Sequence, residues 1–325
     1  MSTDALPLIL DANGPAVHNL RCRLGNAGFF TTIDPPATYG PETEAAVIAF
    51  QRSRGLEQDG SCGPQTWRAL VEADHHFGDR TLYFRQPMLR GDDVFELQRR
   101  LGSIGFDCGR VDGIFGGNTE SSVEEFQRNV ALTADGLCGR DTFAALGRIA
   151  HRTTQMSVGN VRERERLRSA ADAADTPGRI MVGDFGKDAD LADALATFLR
   201  SHGIDVVVIT DPDGSSHAQA ANDFDATGYI GLLSDDPERM VLSYFRTEGF
   251  QSVGGHHLAQ VISLQVPDVW FDVVHSPVGM RTPVLRETRM PAVVCRFGPS
   301  TTSVPDLARS LATAVTAWLT NPVEG

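Results

Sequence analysis

The first half of this chain contains a displaced copy of itself, and that copy dictates two similarly folded units there rather than one continuous core. Shifting the sequence by 77 places lays Gly14, Val17, Leu20, Leu24, Gly28 and Phe29 on Gly91, Val94, Leu97, Leu101, Gly105 and Phe106. After a one-residue deletion, a shift of 76 carries Gly40, Thr43, Val47, Phe50-Gln51, Leu56, Asp59-Gly60, Cys62-Gly63, Thr66 and Leu70 onto Gly116, Thr119, Val123, Phe126-Gln127, Leu132, Asp135-Gly136, Cys138-Gly139, Thr142 and Leu146. The spacing of Val17, Leu20 and Leu24 makes one apolar stripe on a helix that should end at Gly28. Val47 and Phe50 mark a second helix entered through Gly40-Pro41, where proline is tolerated in a first turn. Asp59-Gly60 is a turn signal, and a third short helix is predicted over 64–71. A three-helix unit of roughly 60 residues is marginal alone, so the two copies are expected to pack together.

The ordered pattern is Val-x-x-Leu-x-x-x-Leu, Gly-Phe, Asp-Gly-x-Phe-Gly, Thr, Phe-Gln, Leu, Asp-Gly, Gly-x-x-Thr. It resembles the peptidoglycan-binding domain of cell-wall hydrolases. The second copy carries it nearly whole, through Val111-Asp112-Gly113-Ile114-Phe115-Gly116. The first departs between Ile33 and Gly40, where the stretch is longer and lacks the Asp-Gly turn. Ligand contacts are therefore expected in the second copy, at Asp112, Gly113, Phe115 and Gly116. Most motif residues are of core and turn types, so the pattern defines the module more sharply than its ligand.

Bulk properties narrow the partners. A formal net charge of −13 gives no counterion release from a phosphate backbone and disfavours anionic membrane surfaces. Neither nucleic acid binding nor membrane insertion is expected, and a peptidoglycan fragment or another protein remains open. The start of the chain has no basic segment, and its apolar run is broken by Pro7. That pattern reads as cytoplasmic. Five cysteines, none in a Cys-x-x-Cys motif, read as buried reduced thiols.

Apolar periodicity fades over 151–178. The alternating charges from Arg162 to Arg168 and the Thr176-Pro177-Gly178 end read as a solvated helical connector. Beyond it, strands are expected over 180–182, 204–209, 228–233, 240–245 and 293–297. Helices are expected on the face of Leu191, Leu195, Phe198 and Leu199, then over 218–224, 257–264 and 305–319. Alternating elements of this kind imply an α/β sheet covered by helices on both faces.

This order resembles the zinc-dependent N-acetylmuramoyl-L-alanine amidase family. The resemblance rests on the helix-strand unit over 191–210, on Ala221-Asn222, on 258–262 and on the segment Val284 to Val294. It is closest in layout to actinobacterial members that carry two repeats before the amidase-like domain. It implies zinc held by His, Glu and His, with a Glu on the last strand as acid/base. The first-histidine turn corresponds to Gly183-Asp184-Phe185-Gly186-Lys187, which has no histidine. The ligand glutamate falls nearest Asp188, the second histidine near Leu233 beside Ser234, and the acid/base on Arg296. The resemblance thus implies a degenerate pocket at Asp184, Asp188, Leu233, Ser234 and Arg296, with no metal or cofactor, zinc returning only if the protein is an active amidase. An Asp188–Arg296 salt bridge across the vacated position is one expectation. His256-His257 point about 100° apart on a helix and cannot share one ion. His275 and Ser216-His217 read as non-catalytic.

Four segments are expected: repeats at 1–75 and 85–150, a charged linker at 151–178, and an amidase-like α/β domain at 179–325. The function expected is non-catalytic binding of peptidoglycan or its precursor in regulating cell-wall biosynthesis, with a cell-wall biosynthesis protein as the other partner class. The alternatives are an active amidase cleaving the muramoyl–L-alanine amide, and a structural scaffold for protein interactions.

Overall fold

A computed structural model describes residues 6–149, 158–172, 178–234, 240–266, 276–298 and 303–323, and its contacts divide the chain into two compact units, 1–159 and 160–325. His275, Asp235 and the linker residues 151–157 and 173–177 lie outside the described residues.

The first unit holds the two repeats. One comprises α1 (Pro15–Asn26), α2 (Pro41–Arg54) and α3 (Pro64–Ala73), the other α4 (Asp92–Ser103), α5 (Gly117–Asn129) and α6 (Arg140–Ile149). The helical stripe predicted at Val17, Leu20 and Leu24 is buried with Val47, Phe50 and Leu70, and the same positions one repeat later bury around Val94, Leu97 and Leu101. Equivalent aromatic pairs meet edge-on, Phe29–Phe50 at 5.6 Å and Phe106–Phe126 at 5.7 Å. Each repeat is closed by a short antiparallel bridge, Leu8 with Cys62 and Leu82 with Cys138. Arg54 and Asp92 form an ion pair at 2.7 Å that ties the repeats together.

A buried glutamine secures each Asp-Gly turn. The Gln127 amide donates to Asp135 Oδ1 at 2.8 Å, to the Leu137 carbonyl at 3.0 Å and to Thr142 Oγ1 at 3.2 Å, while its Oε1 accepts from Gly136 N at 3.0 Å. Gln51 makes the same four bonds to Asp59, Ser61, Thr66 and Gly60. Gln98 does so again with Asp112, Ile114, Thr119 and Gly113. Each turn glycine has positive φ (69°, 75° and 71° at Gly60, Gly113 and Gly136), which a side chain would strain. At the fourth place, where the first repeat departs, Arg21 stands one repeat before Gln98. Its guanidinium instead grips the longer loop through Thr31 and the Pro35 carbonyl, and Asp34 takes Thr43.

In the second unit, β1 (Arg179–Asp184), β2 (Asp205–Thr210), β3 (Gly228–Ser234), β4 (Val241–Thr247), β5 (Phe250–Gln251), β6 (Val278–Met280) and β7 (Ala292–Phe297) form one sheet in the order β2-β1-β3-β7-β4-β5, with β6 on β4. The strands β2, β1, β3 and β7 run parallel, and β4 runs antiparallel to β7. Inward residues such as Ile180, Val182, Ile230, Leu232, Val293 and Cys295 pack under α8 (Ala189–Ser201), α10 (Val253–Gln265) and α12 (Val304–Thr320). The opposite face carries α9 (Gly214–Asp223) and the short α11 (Pro283–Glu287). Sequence patterning missed α11, β5 and β6, whose lengths of five, two and three residues are too short for periodicity to register. It also started α10 late, because Ser252 caps that helix by accepting from Gly255 N.

The linker needs a correction. Its helix, α7 (Val158–Asp172), is not simply solvated. The Glu163 carboxylate is buried and accepts from Ser252 Oγ at 2.7 Å and Val253 N at 2.9 Å, satisfying the start of α10, and Leu167 is buried as well. Asn160, Glu163 and Leu167 share one helix face, so α7 belongs to the second unit. The cysteine reading is corrected too: all five are free, but Cys22 is exposed.

Replacing Gln127 by alanine strands the buried Gly136 N–H. The expected cost is about 2 kcal/mol, read as faster amide hydrogen exchange over the second repeat with the second unit unchanged.

Candidate functional site

The parallel strands deliver their C-terminal ends to one edge of the sheet, where ligand sites of open α/β sheets form. Asp184 ends β1, Leu233 and Ser234 end β3, and Arg296 lies near the end of β7, directly paired in register with Leu233. The five expected pocket positions are therefore gathered at the ends of three adjacent strands and the start of α8. Asp184 is fully buried. Its Oδ1 accepts from the backbone N–H of Gly186 (2.8 Å), Lys187 (3.0 Å) and Asp188 (2.8 Å), winding the chain into α8, and its Oδ2 is buried without a partner. Asp188 does not cap α8 with its side chain, although it stands at the N-cap. Its carboxylate instead accepts from Ser234 N at 2.7 Å and from the Ser234 hydroxyl. Among the described residues no ion pair joins Asp188 to Arg296. The expected salt bridge is replaced by the serine contact.

Behind this edge, a histidine that sequence reasoning set aside forms a buried polar cluster. His217, on α9, is fully buried. Its ring stacks on Phe185 with centroids 4.4 Å apart. Nε2 lies 2.8 Å from the Asp211 carbonyl and Nδ1 2.6 Å from the Tyr229 hydroxyl. A carbonyl only accepts, so Nε2 carries the proton and Nδ1 accepts from the tyrosine. The cluster sits on a glycine floor: a Cβ on Gly183 would lie 2.1 Å from the Tyr229 oxygen and 2.4 Å from His217 Nδ1, and one on Gly231 would lie 3.1 Å from Phe185. The signal was present as two glycines inside apolar strands, the mark of close approach.

Zinc requires three ligands with free lone pairs and one open position. Among the described residues, the five positions at this edge do not supply that set. Leu233 has no donor atom, Arg296 is a cation, both oxygens of Asp188 accept from Ser234, and Asp184 has only Oδ2 left over, since its Oδ1 accepts from three N–H groups. Among the described residues no group of three or more His, Cys, Asp and Glu side chains is arranged to hold a metal ion. Among the described residues, Ser234 bonds to the Asp188 carboxylate and to no imidazole.

The signature residues of the second repeat are likewise occupied. Asp112 Oδ1 accepts from Gln98 and Ile114 N, Gly113 N donates to Gln98, Phe115 is wholly buried, and Gly116 caps α5. Among the described residues no helix is long and apolar enough to cross a membrane.

The family model described as "Putative peptidoglycan binding domain" matches residues 13–70 and 90–146. N-acetylmuramoyl-L-alanine amidase CwlM of Mycobacterium tuberculosis is 33% identical over 294 residues, covering 80% of this chain and 71% of that protein. N-acetylmuramoyl-L-alanine amidase CwlL of Bacillus licheniformis is 33% identical over 156 residues, with 42% of this chain and 43% of that protein covered. Among solved structures, N-acetylmuramoyl-L-alanine amidase AmiC2 of Nostoc punctiforme overlaps 44% of this chain and 99% of its own, at a TM-score of 0.36 and 19% identity. The chain belongs to the N-acetylmuramoyl-L-alanine amidase family and carries two peptidoglycan-binding domains.

Burial holds the His217 pKa below its ordinary 6.5. The unfolded chain therefore takes up a proton that the folded chain resists, so this histidine's contribution to stability is complete above pH 6.5 and lost as pH falls. The melting temperature of the second unit is expected to drop on acidification through that range, and His217→Gln is expected to flatten the drop.

Proposed function

We propose that this chain is a non-catalytic member of its family, which binds peptidoglycan fragments or precursors through its repeats and regulates cell-wall biosynthesis. The observation that carries this reading is the state of the sheet edge. Where an amidase needs ligands and a carboxylate base, this chain has a carboxylate bonded to Ser234, a leucine and an arginine. The His217–Tyr229–Phe185 cluster fills the space over Gly183 and Gly231 with a packed neutral network instead of an open cleft. The family match of both repeats supports the peptidoglycan half of the reading.

We infer a cytoplasmic setting, in which the ligand is a precursor or a protein of the precursor pathway. Four buried free thiols support a reducing compartment. Burial pushes Cys62, Cys108 and Cys295 up to about 12, so these thiols stay protonated and unreactive.

Metal analysis of the purified protein, combined with a muropeptide hydrolysis assay, tests the proposal. The expected outcome is zinc far below one ion per chain, no change in melting temperature with chelator, and no stem peptide released. Stoichiometric zinc with release of stem peptide would establish the active amidase instead. Absence of zinc together with failure to bind either muropeptide or lipid-linked precursor would leave only the scaffold.

A further inference from the structure

Of the signature residues Gly113 and Phe115 are buried and Asp112 and Gly116 half-buried, so a ligand needs contacts beyond them. The large apolar side chains exposed on the first unit among the described residues are Ile9, Leu10, Phe30, Ile33, Tyr83, Phe84, Leu137 and Ile149. Single exposed apolar residues are ordinary and need no explanation. Recurrence does. Leu8 and Leu82 are the equivalent buried residues of the two closing bridges, and the two residues after each, Ile9-Leu10 and Tyr83-Phe84, are exposed in both repeats. No other exposed apolar pair in that set recurs at equivalent positions. Phe30 and Ile33, the most exposed of the set at 74% and 84%, occur only in the enlarged loop of the first repeat.

We propose that the doublet of the second repeat is the ligand-contact surface, and that Tyr83, Phe84 and Arg85 bind an amphipathic anion, a peptide-bearing sugar with free carboxylates. This rests on the reading that the repeats bind peptidoglycan fragments.

The platform is rigid. Leu82 N donates to the Cys138 carbonyl at 3.1 Å and Cys138 N to the Leu82 carbonyl at 2.8 Å, with both side chains fully buried. A doublet beside such a bridge is ordered before the ligand arrives, which lowers the entropic cost of binding. The antiparallel register sets exposed Leu137 opposite Tyr83, widening the apolar surface. Aromatic rings offer faces to the C–H groups of a pyranose and to the methyl groups of lactyl and alanyl units. Arg85 follows at once, is exposed, and has no ion pair among the described residues, in a chain of net charge −13. It is a free cation for a stem-peptide carboxylate. In the first repeat the doublet is aliphatic, Ser61 stands opposite, and the next residue is Asp11, which repels such a group. The second repeat is therefore the one that takes the anionic ligand.

The test is calorimetric titration of the full chain with a soluble disaccharide-pentapeptide. Tyr83→Ser/Phe84→Ser is expected to weaken binding about tenfold or more. Arg85→Gln should weaken it about fivefold and remove most of its salt dependence, with Arg85→Lys restoring part of the affinity. Ile9→Ser/Leu10→Ser should change it less than about twofold. All these side chains are exposed, so melting temperatures should match the parent. Unchanged affinity in Tyr83→Ser/Phe84→Ser, with the parent still binding, overturns the site and leaves the binding reading standing. So does a loss confined to Phe30→Ser/Ile33→Ser, which would mark a different surface. A parent chain that does not bind the muropeptide overturns both.

Discussion

A primary amide with two donor hydrogens and one acceptor oxygen is what the first half of this molecule turns on. Three times, a glutamine near the middle or end of a helix is buried against the next Asp-Gly turn. It neutralises the aspartate, a carbonyl, a threonine hydroxyl and the glycine N–H in one stroke. Turns of this kind are otherwise a liability under a small core, because each buries backbone groups that water no longer reaches. With the amide in place, the turn becomes part of the core and fixes the entry of the following helix. The same economy explains why the signature leaves little polar chemistry over for a ligand.

The second unit follows a comparable logic with different atoms. Glycines at two strand positions open a hollow over the sheet, and an imidazole, a phenol and a phenyl ring close it. The edge beyond is stitched by carboxylates to backbone N–H groups and to a serine. Fixed hydrogen bonds thus hold Asp184, Asp188 and Ser234 at the ends of β1 and β3 and the start of α8. The position of each residue is inherited from the fold, while its role is set by what now lies within bonding distance.

Much of this was legible in the residues themselves. The helical stripes, the helix order and the strand runs depend on local periodicity, and they fall where the pattern puts them. The gathering of Asp184, Asp188, Leu233, Ser234 and Arg296 at one sheet edge followed from family resemblance. The partnership of Asp188 with Ser234 did not, because it depends on which rotamer a carboxylate adopts across two elements. The glutamine contacts were half visible: each Asp-Gly is followed by threonine seven positions after the aspartate, at Thr66, Thr119 and Thr142. Gln98 escaped because its turn lies farther along the chain than those of Gln51 and Gln127. The inward face of α7 escaped because two arginine-rich flanks hide a stripe of only three residues.

The docked helix α7 changes what counts as the second domain. A fragment cut at Gly178, where the charge pattern suggests a natural joint, would lose the carboxylate that satisfies the first amides of α10. It would also lose the leucine lying against Gly254, where a Cβ would come within 2.6 Å of the Leu167 side chain. Such a fragment would expose a bare helix terminus beside an apolar notch, a surface prone to sticking to itself. The second compact unit begins at Asn160, before the arginine-rich stretch, so the apparent spacer is in fact structural cargo of the domain that follows it.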